Sequence, residues 1–110
     1  MTASQLADTK MKESVLQKQV IEWLRSIGAY VVNIHGSPMQ ERGIPDLLIC
    51  YLGHFVGMEL KVPGKEPDDY QEYHLERIVA AGGVGCSVTT LDEAKKIIRS
   101  IAAQEDYDED

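Results

Sequence analysis

The most constraining feature of this chain is the segment G-I-P-D-L-L-I-C-Y-L-G-H-F-V-G-M-E-L-K-V-P-G, residues 43–64. Two apolar runs, 46–52 and 55–62, are separated only by Gly53 and His54, and Pro63-Gly64 ends the second. A connection this short between β-prone runs predicts a hairpin. The first run is uniformly apolar after Asp46 and suits a strand buried on both faces, while the second alternates. Three charges interrupt this apolar frame: Asp46, Glu59 and Lys61. Residues two apart on a strand share a face. Glu59 and Lys61 therefore point the same way, Leu60 points into the core, and a hairpin brings Asp46 beside Glu59.

The rest of the chain supplies partners for this hairpin. Leu16, Val20, Trp23, Leu24 and Ile27 recur at helical spacing and predict a helix over 12–27, ended by Gly28. Residues 29–35, A-Y-V-V-N-I-H, read as a strand, followed by the loop G-S-P-M-Q-E-R-G. After the hairpin, Asp68 or Asp69 offers an N-cap for a helix over 70–81. Tyr70, His74 and Ile78 are expected on its inner side, with Tyr73 and Leu75 as further candidates. Gly82-Gly83 ends it, a strand over 84–89 follows, and a last helix runs to residue 103. Leu91, Ala94, Ile97, Ile98 and Ile101 form that helix's apolar stripe. The order αβββαβα predicts an α/β fold, a mixed central β-sheet flanked by helices. The helix between the third and fourth strands permits a parallel crossover.

Composition narrows the class. One domain is expected over 1–104, with 105–110 as an acidic, disordered C-terminal tail. The net charge of -7 argues against a nucleic-acid partner, but five of the 18 acids lie in that tail. The body then holds 13 acids against 11 bases, and three of those acids, Asp46, Glu59 and Glu13, are candidate metal-site carboxylates taken up below. No apolar run approaches the roughly 20 residues of a membrane span. The polar N-terminus lacks a signal peptide's apolar stretch, so a cytoplasmic protein is expected, in a phage or bacterial setting. Cys50 and Cys86 sit far apart in strand-like runs and are expected to be buried free thiols rather than a disulfide or a zinc site.

Two close carboxylates on an apolar frame repel each other and lose solvation, and a divalent cation removes that penalty. Mg²⁺, or Mn²⁺, prefers hard oxygen ligands and retains waters. Asp46, Glu59 and the backbone carbonyl of Leu60 are the expected ligands. A cation so held activates water and stabilises charge on a phosphate, and Lys61 can orient that water, donate to the phosphate oxygens or act as a base. Alone, Glu-x-Lys on a strand is an ordinary solvated pattern. The combination with G-I-P-D-L-L-I and V-P-G is what distinguishes it.

G-I-P-D-L, then E-L-K-V-P-G, then Gln71 in the following helix resemble the motifs of the VRR-NUC family, a branch of the PD-(D/E)XK nucleases related to Holliday-junction resolvases. K-E-S-V-L-Q-K-Q-V-I-E-W-L resembles that family's N-terminal helix, and A-A-G-G-V-G-C-S-V-T its late glycine-then-strand element. The resemblance covers about residues 12–100. It implies a restriction-endonuclease-like core, with Asp46 and Glu59 as metal-binding acids and Lys61 as the catalytic lysine. It also implies Glu13 as a helix glutamate that binds metal directly or through water, and Gln71 as a catalytic-site support. Glu22 competes with Glu13 but is central in the helix, where a surface position is expected.

The function implied is a Mg²⁺- or Mn²⁺-dependent DNA endonuclease. A short chain has little room for a separate targeting domain, so selection by DNA shape is expected. A two-fold homodimer with two active sites suits a four-way junction. Flap- or end-cutting, sequence-specific cleavage, and a non-catalytic DNA-binding module are the alternatives. Arg42, Lys65, Asn33, His35 and Ser37 are candidate DNA contacts, each with an ordinary loop role as the alternative. His74 is expected to be structural, His54 a turn residue, and Trp23 part of the core.

Overall fold

A computed structural model describes residues 2–34 and 41–108. Seven elements follow the expected order: α1 (Ala3–Ser26), β1 (Tyr30–Asn33), β2 (Leu47–Tyr51), β3 (His54–Leu60), α2 (Asp69–Ala80), β4 (Val84–Val88) and α3 (Leu91–Asp108). The four strands form one mixed sheet in the order β1-β2-β3-β4. β1, β2 and β3 are antiparallel neighbours, whereas β3 and β4 run parallel through the α2 crossover.

The core lies between one sheet face and the pair α1 and α3. Leu16, Val20 and Leu24 of α1 meet Val31, Ile49, Val56, Met58 and Val88 of the sheet and Ala94, Ile98 and Ile101 of α3. Trp23 packs against this core half-buried, with the Lys95 ammonium 5.8 Å from its ring centroid. The opposite sheet face is covered by α2, but only over β3 and β4. Glycine makes that close approach possible. A Cβ on Gly85 would lie 2.4 Å from the Leu75 carbonyl oxygen, and one on Gly57 would collide with Ile78.

This half-coverage reverses the expected burial of the hairpin. β3 is buried on both faces from Val56 to Leu60, whereas β2 alternates, with Leu47 and Ile49 buried and Cys50 exposed. The apolar composition of β2 cannot reveal that α2 stops short of it. Cys50 is thus not the buried thiol expected from its run. Cys86 is half-buried, and burial raises its thiol pKa to about 12.

Other boundaries shift for identifiable reasons. The hairpin turns at Leu52-Gly53 rather than Gly53-His54, with both residues at positive φ as a type I′ turn requires. α1 starts nine residues before the expected position, at a reciprocal capping box between Thr2 and Gln5. Its early turns are exposed and carry no apolar stripe to reveal them. α2 is capped by Asp68, and its inward residue is Leu75, with Ile78 and His74 half-buried. Tyr70 and Tyr73 are exposed instead, beneath the guanidinium groups of Arg42 and Arg77. α3 is helical through Asp108, beyond the boundary drawn at residue 104. Among the described residues, no helix is long and apolar enough to cross a membrane.

The glycine contacts give a direct test. Gly85→Ala should destabilise the fold by about 1–3 kcal/mol through overpacking, because the obstructing atoms are backbone. Gly43→Ala should cost at least as much, since Gly43 combines φ +88° with a Cβ position 2.5 Å from the Tyr70 backbone. Urea denaturation of each variant measures both effects.

Candidate active site

Asp46 lies in the bend just before β2, and the ladder fixes its place. The Ile34 N–H donates to the Asp46 carbonyl at 2.8 Å, extending β1–β2 pairing past the formal strand end. The Asp46 carboxylate then accepts from the Leu60 N–H at 2.8 Å, pinning it to the end of β3. The approach of Gly43 to Tyr70 seats the same bend against the start of α2.

Glu59 shares the α2-covered sheet face with Gly57, and only 2% of it is exposed. Lys61 follows β3 directly, and its N–H donates to the Val88 carbonyl at 2.9 Å, continuing the strand geometry. The expected common face of Glu59 and Lys61 follows, with Leu60 buried on the core side. Burial, the proximity of the Asp46 carboxylate and the charge of Asp68 raise the Glu59 pKa to about 9, against an opposing effect of Lys61.

Gln71 holds this cluster to α2 through both ends of its amide. Its Oε1 accepts from the Asp68 N–H at 2.9 Å, half of the helix capping box. Its Nε2 donates to Glu59 Oε1 at 3.1 Å. Because the cap uses the carbonyl oxygen, the amide NH₂ is the end presented to Glu59. The other Glu59 oxygen, Oε2, is buried with no hydrogen-bond donor among the described residues. A buried carboxylate oxygen lacking a donor beside a second carboxylate is the chemistry a hard divalent cation satisfies. Asp46 and Glu59 fit such an ion.

Glu13 is half-buried on α1 and lines a cleft of about 180 Å³ with Asp46 and Leu60. The three acids do not converge into one cluster: among the described residues, no group of three or more His, Cys, Asp or Glu side chains is placed to hold a metal ion. Glu22 is exposed. The same cleft is lined by Lys10, Ser14 and Gln17, which the sequence reading did not select. Their spacing from Glu13 on one helix face was the available signal.

The candidate DNA contacts scatter. Asn33 borders this region, where its Oδ1 accepts from Gln17 Nε2 at 2.7 Å. Arg42 is exposed, with its guanidinium 4.4 Å from the Tyr70 ring centroid. Lys65 is exposed, and His35 and Ser37 lie outside the described residues. His74 faces the Glu41 carboxylate at 3.6 Å rather than the acid cluster. His54 is half-buried in β3 rather than in the turn.

The raised Glu59 pKa has a definite sign. Below pH 4.5 folded and unfolded chains both carry the proton, and no penalty arises. Between pH 4.5 and about 9 the unfolded chain releases it while the folded chain retains it, so stability falls as pH rises. Glu59→Gln should remove this contribution. Urea midpoints in EDTA should therefore decline less steeply from pH 5 to pH 9 for the variant than for the wild type. Gln71→Glu provides a second check: it adds a third carboxylate beside Glu59 and should destabilise the protein more at pH 8 than at pH 5.

No family model and no curated protein matches the chain. Among solved structures, one described as a VRR_NUC domain is similar, with a TM-score of 0.67 and 27% sequence identity. The match covers 80% of this chain and 95% of the other. The chain is thus similar over most of its length to a VRR_NUC domain, a likeness that supports a nuclease-type domain.

Proposed function

We propose that this chain is a Mg²⁺- or Mn²⁺-dependent DNA endonuclease whose working centre is Asp46, Glu59 and Lys61, supported by Gln71 and Glu13. The observation that carries this reading is buried Glu59 beside half-buried Asp46, with one Glu59 oxygen lacking a donor among the described residues. Asp46, Glu59 and the Leu60 carbonyl would hold the cation, with Glu13 joining directly or through water. A cation bound there lowers the pKa of a coordinated water and offsets phosphate charge.

The chain's own residues do the rest. Lys61 directs its ammonium at the phosphate oxygens and stabilises the charge that grows on them during attack. Gln71 keeps Glu59 in one orientation, so the carboxylate does not have to reorganise as charge moves. The bend at Asp46, anchored by the Leu60 N–H, holds the second carboxylate in register.

The preferred substrate on this reading is branched DNA, a four-way junction cut by a two-fold homodimer. The part of this sheet face that α2 leaves exposed, on β1, β2 and the start of β3, supports a second copy as partner. Tyr30, Val32, Cys50 and Phe55 are exposed on that one face. An apolar patch continuous over three strands suits an interface that pairs with itself. A reducing compartment fits the two free thiols.

In a cleavage assay with Mg²⁺ or Mn²⁺, the wild type should cut a four-way junction in preference to linear duplex, and EDTA should abolish cutting. Asp46→Asn, Glu59→Gln and Lys61→Ala should each lower the rate by about 10²-fold or more. Preference for flaps or for one duplex sequence would replace the junction assignment while retaining the site. Sedimentation should give a dimer at micromolar concentration. A monomer that still cuts junctions would remove the two-fold model.

A further inference from the structure

The cleft beside Asp46 has a wall whose residues, Glu13 aside, the catalytic reading leaves without a role. Lys10, Glu13, Ser14 and Gln17 stand at i, i+3, i+4 and i+7 on α1, and all four line it opposite Asp46 and Leu60. That spacing is one helix face, so an ammonium, a carboxylate, a hydroxyl and an amide are aligned along the cleft. The wall is firmly placed. Gln17 is tied to Asn33 of β1 by a part-buried hydrogen bond of 2.7 Å. Because the capped helix begins at Ala3, Lys10 lies well inside it rather than at a frayed end.

We propose that this face of α1 is a phosphodiester-binding subsite, in which Lys10, assisted by Ser14 and the Gln17 amide, holds a phosphate adjoining the one being cut. The inference rests on the nuclease reading given above. A polynucleotide laid over Asp46 and Glu59 brings neighbouring phosphates with it, and carboxylate walls repel them. Along the helix, Lys10 is displaced from Glu13 by about 4.5 Å, at 1.5 Å per residue. This puts a flexible cation beyond the acids yet on the same wall. All three donors suit phosphate oxygens, and contacts to phosphate fix strand position without sequence preference.

The same helix provides a control. Lys12 is 3.1 Å from Asp8 in a solvent-exposed pair and does not line the cleft. Lys10→Ala and Lys12→Ala thus make the same charge change two residues apart. Binding of a four-way junction is measured by fluorescence anisotropy in Ca²⁺ over a range of salt concentrations, with Mn²⁺ affinity followed by calorimetry. Lys10→Ala should weaken binding about 3- to 10-fold and reduce the slope of log K against log salt by about one phosphate equivalent, 0.7–0.9. Lys10→Arg should restore both, Lys12→Ala should change neither, and Mn²⁺ affinity should be the same in all. Equal salt slopes for Lys10→Ala and Lys12→Ala, in a wild type that binds and cuts DNA, would overturn the subsite alone. A wild type that neither binds nor cuts DNA would overturn the nuclease reading and the subsite together.

Discussion

Two carboxylates held together in a largely apolar setting are the constraint around which the structure is arranged. Glu59 is buried on a central strand, Asp46 faces it from the preceding bend, and neither position is one that packing alone would select. Unpaired buried charge is costly, so the protein carries a proton or a cation there. The neighbouring arrangements limit what the pair can do. The Leu60 N–H holds Asp46, and the Gln71 NH₂ holds one oxygen of Glu59. Among the described residues, the second oxygen of Glu59 has no donor.

Gln71 shows how local and tertiary structure are joined. Its carbonyl completes the capping box that starts α2, and its amide NH₂ meets Glu59. Helix initiation and the orientation of Glu59 therefore depend on one side chain. The parallel β3–β4 crossover brings α2 over Glu59, and Gly57 and Gly85 let it settle close to the sheet. Coverage of β3 by α2 also produces the desolvation that raises the Glu59 pKa.

α1 has a double role of a different kind. Leu16, Val20 and Leu24 anchor it in the core, while another face lines the cleft beside Asp46. Acidic overall charge is then no obstacle to an anionic partner, because cations need only be local. Lys61 supplies one from the sheet and Lys10 another from the helix. The uncovered half of the sheet, by contrast, is apolar and uncharged at Tyr30, Val32, Cys50 and Phe55, a surface suited to protein rather than phosphate.

The element order, the hairpin and the convergence of Asp46, Glu59 and Lys61 were legible from sequence because each depends on short-range rules. Two-residue periodicity and a two-residue turn determine which side chains meet, whatever else packs on them. Gln71 and Glu13 were reached through the family resemblance, not through spacing. What only the tertiary structure decided was coverage. β2 and β3 exchange their expected burial because α2 lies over β3 and β4, and no pattern within either strand encodes where a distant helix stops. The first turns of α1 escaped notice for the related reason that a helix with no buried stripe leaves no periodic mark. Lys10 was overlooked with them, since a cleft lining is a relation between two elements and exists only once both are in place.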